Sequence, residues 1–211
     1  IVNKQERVKQ FIKYFSENMP QAKTELEYTN AFELTVAVVL SAQCTDKRVN
    51  IITKKLFKEM PFPELMAEAS IDSIFNLIKS CSYPRNKAKY LSGLAKMLVT
   101  DFNSKIPANL DDLQKLPGVG RKTANVVGSV YFDIPAMPVD THVFRVANRI
   151  GFTTKAQKPL ESELQLLKLL PEEKLMTCGD LFERMYVWWD GTVNPCDVDY
   201  KSELSPGTLN D

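Results

Sequence analysis

Apolar residues along this chain recur three and four positions apart far more often than at every second position, the pattern of helices that bury one face. Val8, Phe11, Ile12 and Phe15 form one such stripe within Glu6 to Phe15. Asn30-Ala-Phe-Glu33 has the spacing of an N-cap with its box partner and opens the run from Leu34 to Ala42. The same periodicity predicts helices over Asp46 to Met60, Ile71 to Ser80, Pro84 to Phe102, Leu110 to Leu116, Arg121 to Phe132, Thr141 to Ile150 and Pro159 to Leu170. Pro84 suits a first helical position, whereas Pro61, Pro63, Pro107, Pro117, Pro135 and Pro171 fall between the periodic segments. Period-two alternation is almost absent, so the chain reads as all-α with short connections. Near Cys178 the pattern breaks, and Trp188-Trp-Asp-Gly-Thr-Val-Asn-Pro195 is turn-rich and poorly helical.

Composition narrows the class. The 211 residues are 44% hydrophobic and 25% charged, enough to bury a core as one large or two small domains, and unlike a disordered or fibrous chain. The longest apolar run, Val36 to Leu40, is far too short for a membrane span, and a charged N-terminus is unlike a secretory signal. A cytoplasmic protein with no membrane partner is expected. The net charge of +1 hides an asymmetry: Lys79 to Lys122 holds nine Lys/Arg against three Asp/Glu, and Pro171 to Asp211 holds three against nine. The basic middle is either a solvated helix surface or a face for a phosphate backbone. Cys44, Cys81, Cys178 and Cys196 form no C-x-x-C pair, and His142 is the only histidine. That spacing supports neither a zinc site nor a four-thiolate iron–sulfur cluster, and free thiols are expected.

The chemistry concentrates between Leu110 and Arg149. Leu110 to Leu116, Pro117-Gly-Val-Gly120 and Arg121 to Val127 read as a short helix, a glycine hairpin and a second helix. Gly118 and Gly120 permit a tight turn and leave backbone N–H groups unshielded at a helix start, which suits a phosphate. Arg121 and Lys122 follow directly, two cations that a purely structural corner does not need at the positive end of a helix dipole. Lys122 has two readings: a nucleophile whose ammonium form is disfavoured by Arg121, the dipole and partial burial, or an ordinary phosphate contact. Asp140 is an N-cap for the helix from Thr141 and also a fixed carboxylate able to stabilise a developing cation. His142, with no second ligand nearby, reads as a packed or capping histidine.

Leu116 to Val127, followed by Val139-Asp-Thr-His-Val-Phe-Arg145 and on to Arg149, closely resembles the endonuclease III family of helix-hairpin-helix DNA glycosylases. The similarity runs from about Val8 to Glu173, through Phe32-Glu-Leu34 and Leu40-Ser-Ala-Gln-Cys-Thr-Asp46. It implies two helical domains: residues 24–134 as a six-helix barrel holding the hairpin, and residues 1–23 with 135–177 as the second, with DNA bound across a cleft. It also implies a bifunctional glycosylase and AP lyase of base excision repair, acting as a monomer on damaged double-stranded DNA. Lys122 becomes the Schiff-base nucleophile and Asp140 the catalytic carboxylate. The branch that removes adenine from mismatches lacks the lysine.

Gln43 matches the family's gap-filling glutamine; its plainer role is a loop residue capping the helix of Asp46. Tyr83 stands where the family carries an apolar wedge, and Ser82 replaces the usual preceding glycine. The resemblance further assigns DNA contacts to Arg85, Lys87, Gly118, Gly120, Arg121, Thr141 and His142. Hairpin carbonyls are expected to be able to hold a monovalent cation. No other cofactor is expected, because the family's four closely spaced cysteines, which ligate a [4Fe–4S] cluster, are not found here. Instead residues 178–211 form an atypical acidic tail, and Met185 to Ser202 resembles a fragment of the cysteine-rich auxiliary domain that follows radical-SAM enzymes, as in a fused or mis-joined tail. Oxidised pyrimidines are the expected substrates. The alternatives are an 8-oxoguanine lyase of the same fold and a catalytically impaired DNA-binding module.

Overall fold

The computed structural model describes residues 3–18, 24–169, 186–187 and 193–194. The helices among them are α1 (Lys4–Asn18), α2 (Ala31–Ser41), α3 (Asp46–Glu59), α4 (Pro63–Glu68), α5 (Ile71–Ile78), α6 (Pro84–Asp101), α7 (Leu110–Leu113), α8 (Arg121–Phe132), α9 (Thr141–Arg149) and α10 (Pro159–Leu169). Two short strands, β1 (Tyr186–Val187) and β2 (Val193–Asn194), pair antiparallel with Tyr186 opposite Asn194. The protein is helical, as the apolar periodicity implies, with this two-residue ribbon the exception among the described residues.

The chain divides into two compact units, Thr24–Ile134 and Ile1–Lys23 with Pro135–Asp211. The first contains α2 to α8: six longer helices and one four-residue turn, α7. Its centre is α2, in which Phe32 and every residue from Leu34 to Leu40 is buried. A helix apolar all round has no face to give to water, so it belongs inside a bundle. Accordingly α3, α6 and α8 pack on α2, and α4 and α5 pack on α6. Asn30 caps α2 by accepting the Glu33 amide at 2.9 Å, while the Glu33 carboxylate reaches one residue further back, to the Thr29 amide at 2.7 Å. The periodicity misses α4, because Pro61 and Pro63 look like breakers. Pro63 in fact takes the first turn, where a missing N–H costs nothing, and is buried with Met66.

In the second unit, α1, α9 and α10 enclose a smaller core that includes Val8, Phe15, Val139, Val143, Val146, Phe152 and Leu166. Phe11 meets Phe152 edge-on at 5.1 Å, so the stripe read on α1 is that helix's packing face. Arg7 donates to the Ile150 carbonyl at 2.9 Å and satisfies the C-terminal end of α9.

Candidate functional site

The hairpin is built by packing constraints on its two glycines that differ in kind. Gly118 has φ +82°, and a Cβ there would lie 2.8 Å from Tyr90 Cβ and 3.4 Å from Val39, so no other residue fits without moving the backbone. Gly120 has nothing within 4 Å of a would-be Cβ. Leu116 and Val119 are buried on either side of the turn, and Pro117 rests 3.2 Å from the Cβ position of Gly93 on α6. The loop is thus anchored from below and open above. Gly120 is the N-cap of α8 and supplies no side-chain cap, which leaves the helix start uncovered by side chain. Arg121 and Lys122 are the first two helical residues and both are exposed, where the sequence suggests partial burial for Lys122. Cations at this end cost about 0.3 to 1 kcal/mol against the helix dipole.

Asp140 lies in the other unit and caps α9, its Oδ1 accepting the amides of His142 and Val143, each at 2.8 Å. Two bonds on one oxygen fix the orientation of the carboxylate, which is half-buried. Thr141 is the exposed first residue of α9. The ring of His142 is half-buried, its Nδ1 3.5 Å from the Arg145 guanidinium, so it packs on the surface of its own helix.

Gln43 and Tyr83 share a backbone peculiarity. Both take left-handed conformations, φ +55° and +51°, at a cost of about 1 to 2 kcal/mol per residue. Gln43 is exposed in the loop between α2 and α3; it does not cap α3, whose N-cap is Thr45. Tyr83 is the N-cap of α6 with 65% of its surface exposed.

Lys87 corrects the expectation of a direct DNA contact. It is only 5% exposed, and its ammonium donates to the Leu40 carbonyl at 2.8 Å, the Ala42 carbonyl at 2.7 Å and Ser82 Oγ at 3.1 Å. Three acceptors match the three N–H donors of a lysine, leaving none for a phosphate. Ser82 Oγ itself donates to the Ala42 carbonyl at 3.0 Å. Its φ is not positive, so the glycine usual at this position is not needed for the turn. Arg85 is exposed, with its guanidinium 4.7 Å above the Phe75 ring.

Cys44 and Cys81 are free thiols on the two loops that carry Gln43 and Tyr83. Burial pushes the Cys81 thiol up, against the opposing charge of Lys87, which favours the protonated form over the thiolate that binds iron. Among the described residues no group of three His, Cys, Asp or Glu could hold a metal ion. Cys178 and Cys196 lie outside the described residues, and they are two where a cubane cluster takes four thiolates. The residues present do not fit such a cluster. The acidic tail and the auxiliary-domain resemblance of Met185 to Ser202 also lie outside the described residues, β1 and β2 apart, and that resemblance gains no support. No helix among the described residues is long and apolar enough to cross a membrane.

Similarity to known proteins follows the same residues. The chain is 48% identical over 154 residues to endonuclease III of Bacillus subtilis, covering 73% of this chain and 70% of that protein. It is 46% identical over 168 residues to endonuclease III of Rickettsia felis, covering 80% and 78%. A solved structure of a trapped endonuclease III–DNA covalent intermediate, an estranged-adenine complex, superposes with a TM-score of 0.80 at 42% identity over 85% of this chain and 84% of that one. Residues 36–172, which run from the middle of α2 through the hairpin, Lys122 and Asp140, match the HhH-GPD superfamily of base excision DNA repair proteins. The anchored glycine hairpin, the lysine at its exit and the capping aspartate are therefore parts of a DNA glycosylase, and the chain belongs to the endonuclease III family within that superfamily.

Proposed function

We propose that this protein removes oxidised pyrimidines from duplex DNA and then cleaves the strand, with Lys122 as nucleophile and Asp140 as the catalytic carboxylate. The observation that carries the reading is an exposed lysine two residues into α8, directly after a hairpin whose Gly120 backbone is open to a ligand. The hairpin amides and Arg121 receive backbone phosphates, Arg85, Thr141 and His142 add contacts, and the glycine hairpin's carbonyls can hold a monovalent cation. The lesion leaves the stack, and the gap is filled from Gln43 and Tyr83. Nζ of Lys122, deprotonated, forms a bond to the sugar C1′ as the C1′–N bond breaks and the base departs with that electron pair and a proton. Asp140 stabilises the positive charge that develops on the sugar. Ring opening gives the imine, whose acidified C2′ loses a proton as the 3′ phosphate leaves. No cluster is expected to take part. In a bacterium the protein would work as a monomer in the cytoplasm, associated with the nucleoid.

Borohydride added during turnover on a single-lesion duplex should trap the protein covalently, and Lys122→Ala should abolish the trapped species. Trapping that survives the substitution removes Lys122 from the nucleophile role. A panel of lesions scored separately for base loss and strand cleavage fixes the substrate: preference for 8-oxoguanine over oxidised pyrimidines would overturn the pyrimidine assignment.

A further inference from the structure

The reading of Gln43 and Tyr83 as gap filler and wedge leaves open how two exposed residues on separate loops enter DNA together. Most of Tyr83 is exposed, and both residues sit in backbone conformations that ordinary side chains avoid. Such geometry persists only where surrounding bonds overdetermine it. Here the bonds are specific. The Lys87 ammonium ties the end of α2, through the carbonyls of Leu40 and Ala42, to Ser82, and Ser82 Oγ closes the ring by donating to the same Ala42 carbonyl. Ala42 immediately precedes Gln43, and Ser82 immediately precedes Tyr83. The residues that fix the two loops are therefore the immediate neighbours of the two residues that distort DNA. Because the ammonium is buried, its bonds are charge-assisted and shielded from competing water.

We propose that Lys87 and Ser82 act as positioning residues, clamping the two loops into one rigid insert so that Gln43 and Tyr83 enter the duplex as a unit and discriminate distorted from intact DNA. The proposal rests on the assignment of Gln43 and Tyr83 given above. The ring also gives Ser82 a purpose that a glycine could not serve, since its hydroxyl accepts from Lys87 and donates to the Ala42 carbonyl at once.

The test is the ratio of lesion-duplex to intact-duplex affinity, each corrected for the active fraction from borohydride trapping, in the full chain. Ser82→Ala should lower the ratio about tenfold, the scale of one charge-assisted bond lost, and Ser82→Thr, which keeps the hydroxyl, should restore it. Lys87→Met should lower it further where the variant folds; Ser82→Ala removes only a half-exposed hydroxyl and serves if it does not. A merely structural role would reduce the active fraction and leave the corrected ratio unchanged. Gln43→Ala and Tyr83→Ala are run alongside. If they shift the ratio while Ser82→Ala leaves it intact, the clamp is overturned and the wedge assignment stands. If they do not shift it, the wedge assignment fails and the clamp fails with it.

Discussion

Asp140 caps α9 and, in the proposed mechanism, is also the catalytic carboxylate; a single substitution separates the two roles. Asparagine is as good an N-cap as aspartate, so Asp140→Asn keeps an oxygen to accept from the His142 and Val143 amides while removing the charge. Melting temperature and duplex affinity should hold, and single-turnover base removal should slow by roughly 10²-fold or more, the scale of losing one electrostatic stabiliser. Loss of affinity with unchanged chemistry would reduce Asp140 to a cap. The cations of the hairpin run the other way: Arg121 and Lys122 stand in the first turn of α8, where the helix dipole opposes them.

At the scale of the helix-hairpin-helix element, the two glycines make opposite predictions. Gly118→Ala places a methyl group against Tyr90 Cβ in a left-handed conformation, and should destabilise the protein by about 2 kcal/mol or more in denaturant unfolding. Gly120→Ser meets open space and supplies a better cap to α8, so stability should hold or rise slightly. Binding to lesion and intact duplexes should nevertheless weaken together, roughly tenfold, because the new side chain covers the amides offered to phosphate. Unchanged binding by Gly120→Ser would move the phosphate contact away from the helix start.

Across the whole molecule, the cysteines and the charge distribution set this chain apart from the cluster-bearing pattern that the family resemblance implies. Anaerobic incubation with iron and sulfide should leave it without the broad visible absorbance of a cubane cluster, since Cys44 and Cys81 sit on the loops of the Thr24–Ile134 unit and Cys81 favours its protonated form. Incorporation of four irons per chain would overturn this. The stretch from Pro171 is acidic and the middle of the chain basic; if Arg121 meets a phosphate as proposed, Arg121→Ala should flatten the salt dependence by about one unit of slope.

Local pattern alone determined most of the helices, the cap at Asn30, the hairpin and the types of residue at its exit, because caps, glycine turns and apolar stripes are set by neighbours three or four positions away. The segments that carry Lys122 and Asp140 are legible too, but the roles proposed for the two residues come from the family resemblance and not from local pattern. It missed α4, which is too short at six residues to show a period and begins on a proline. It misjudged Lys87, although the signal was present: Lys87 shares the face of Leu91, Leu94, Ala95 and Leu98, all buried on α6. A cation on an apolar stripe is either snorkelling to water or satisfied within, and its helix cannot say which. The acceptors that decide the matter, Leu40 and Ala42, are 47 and 45 residues distant in sequence. The left-handed backbones of Gln43 and Tyr83 were equally hidden, because neither residue favours that conformation by itself and the bonds around Ala42 and Ser82 that hold it exist only once α2 and α6 have packed.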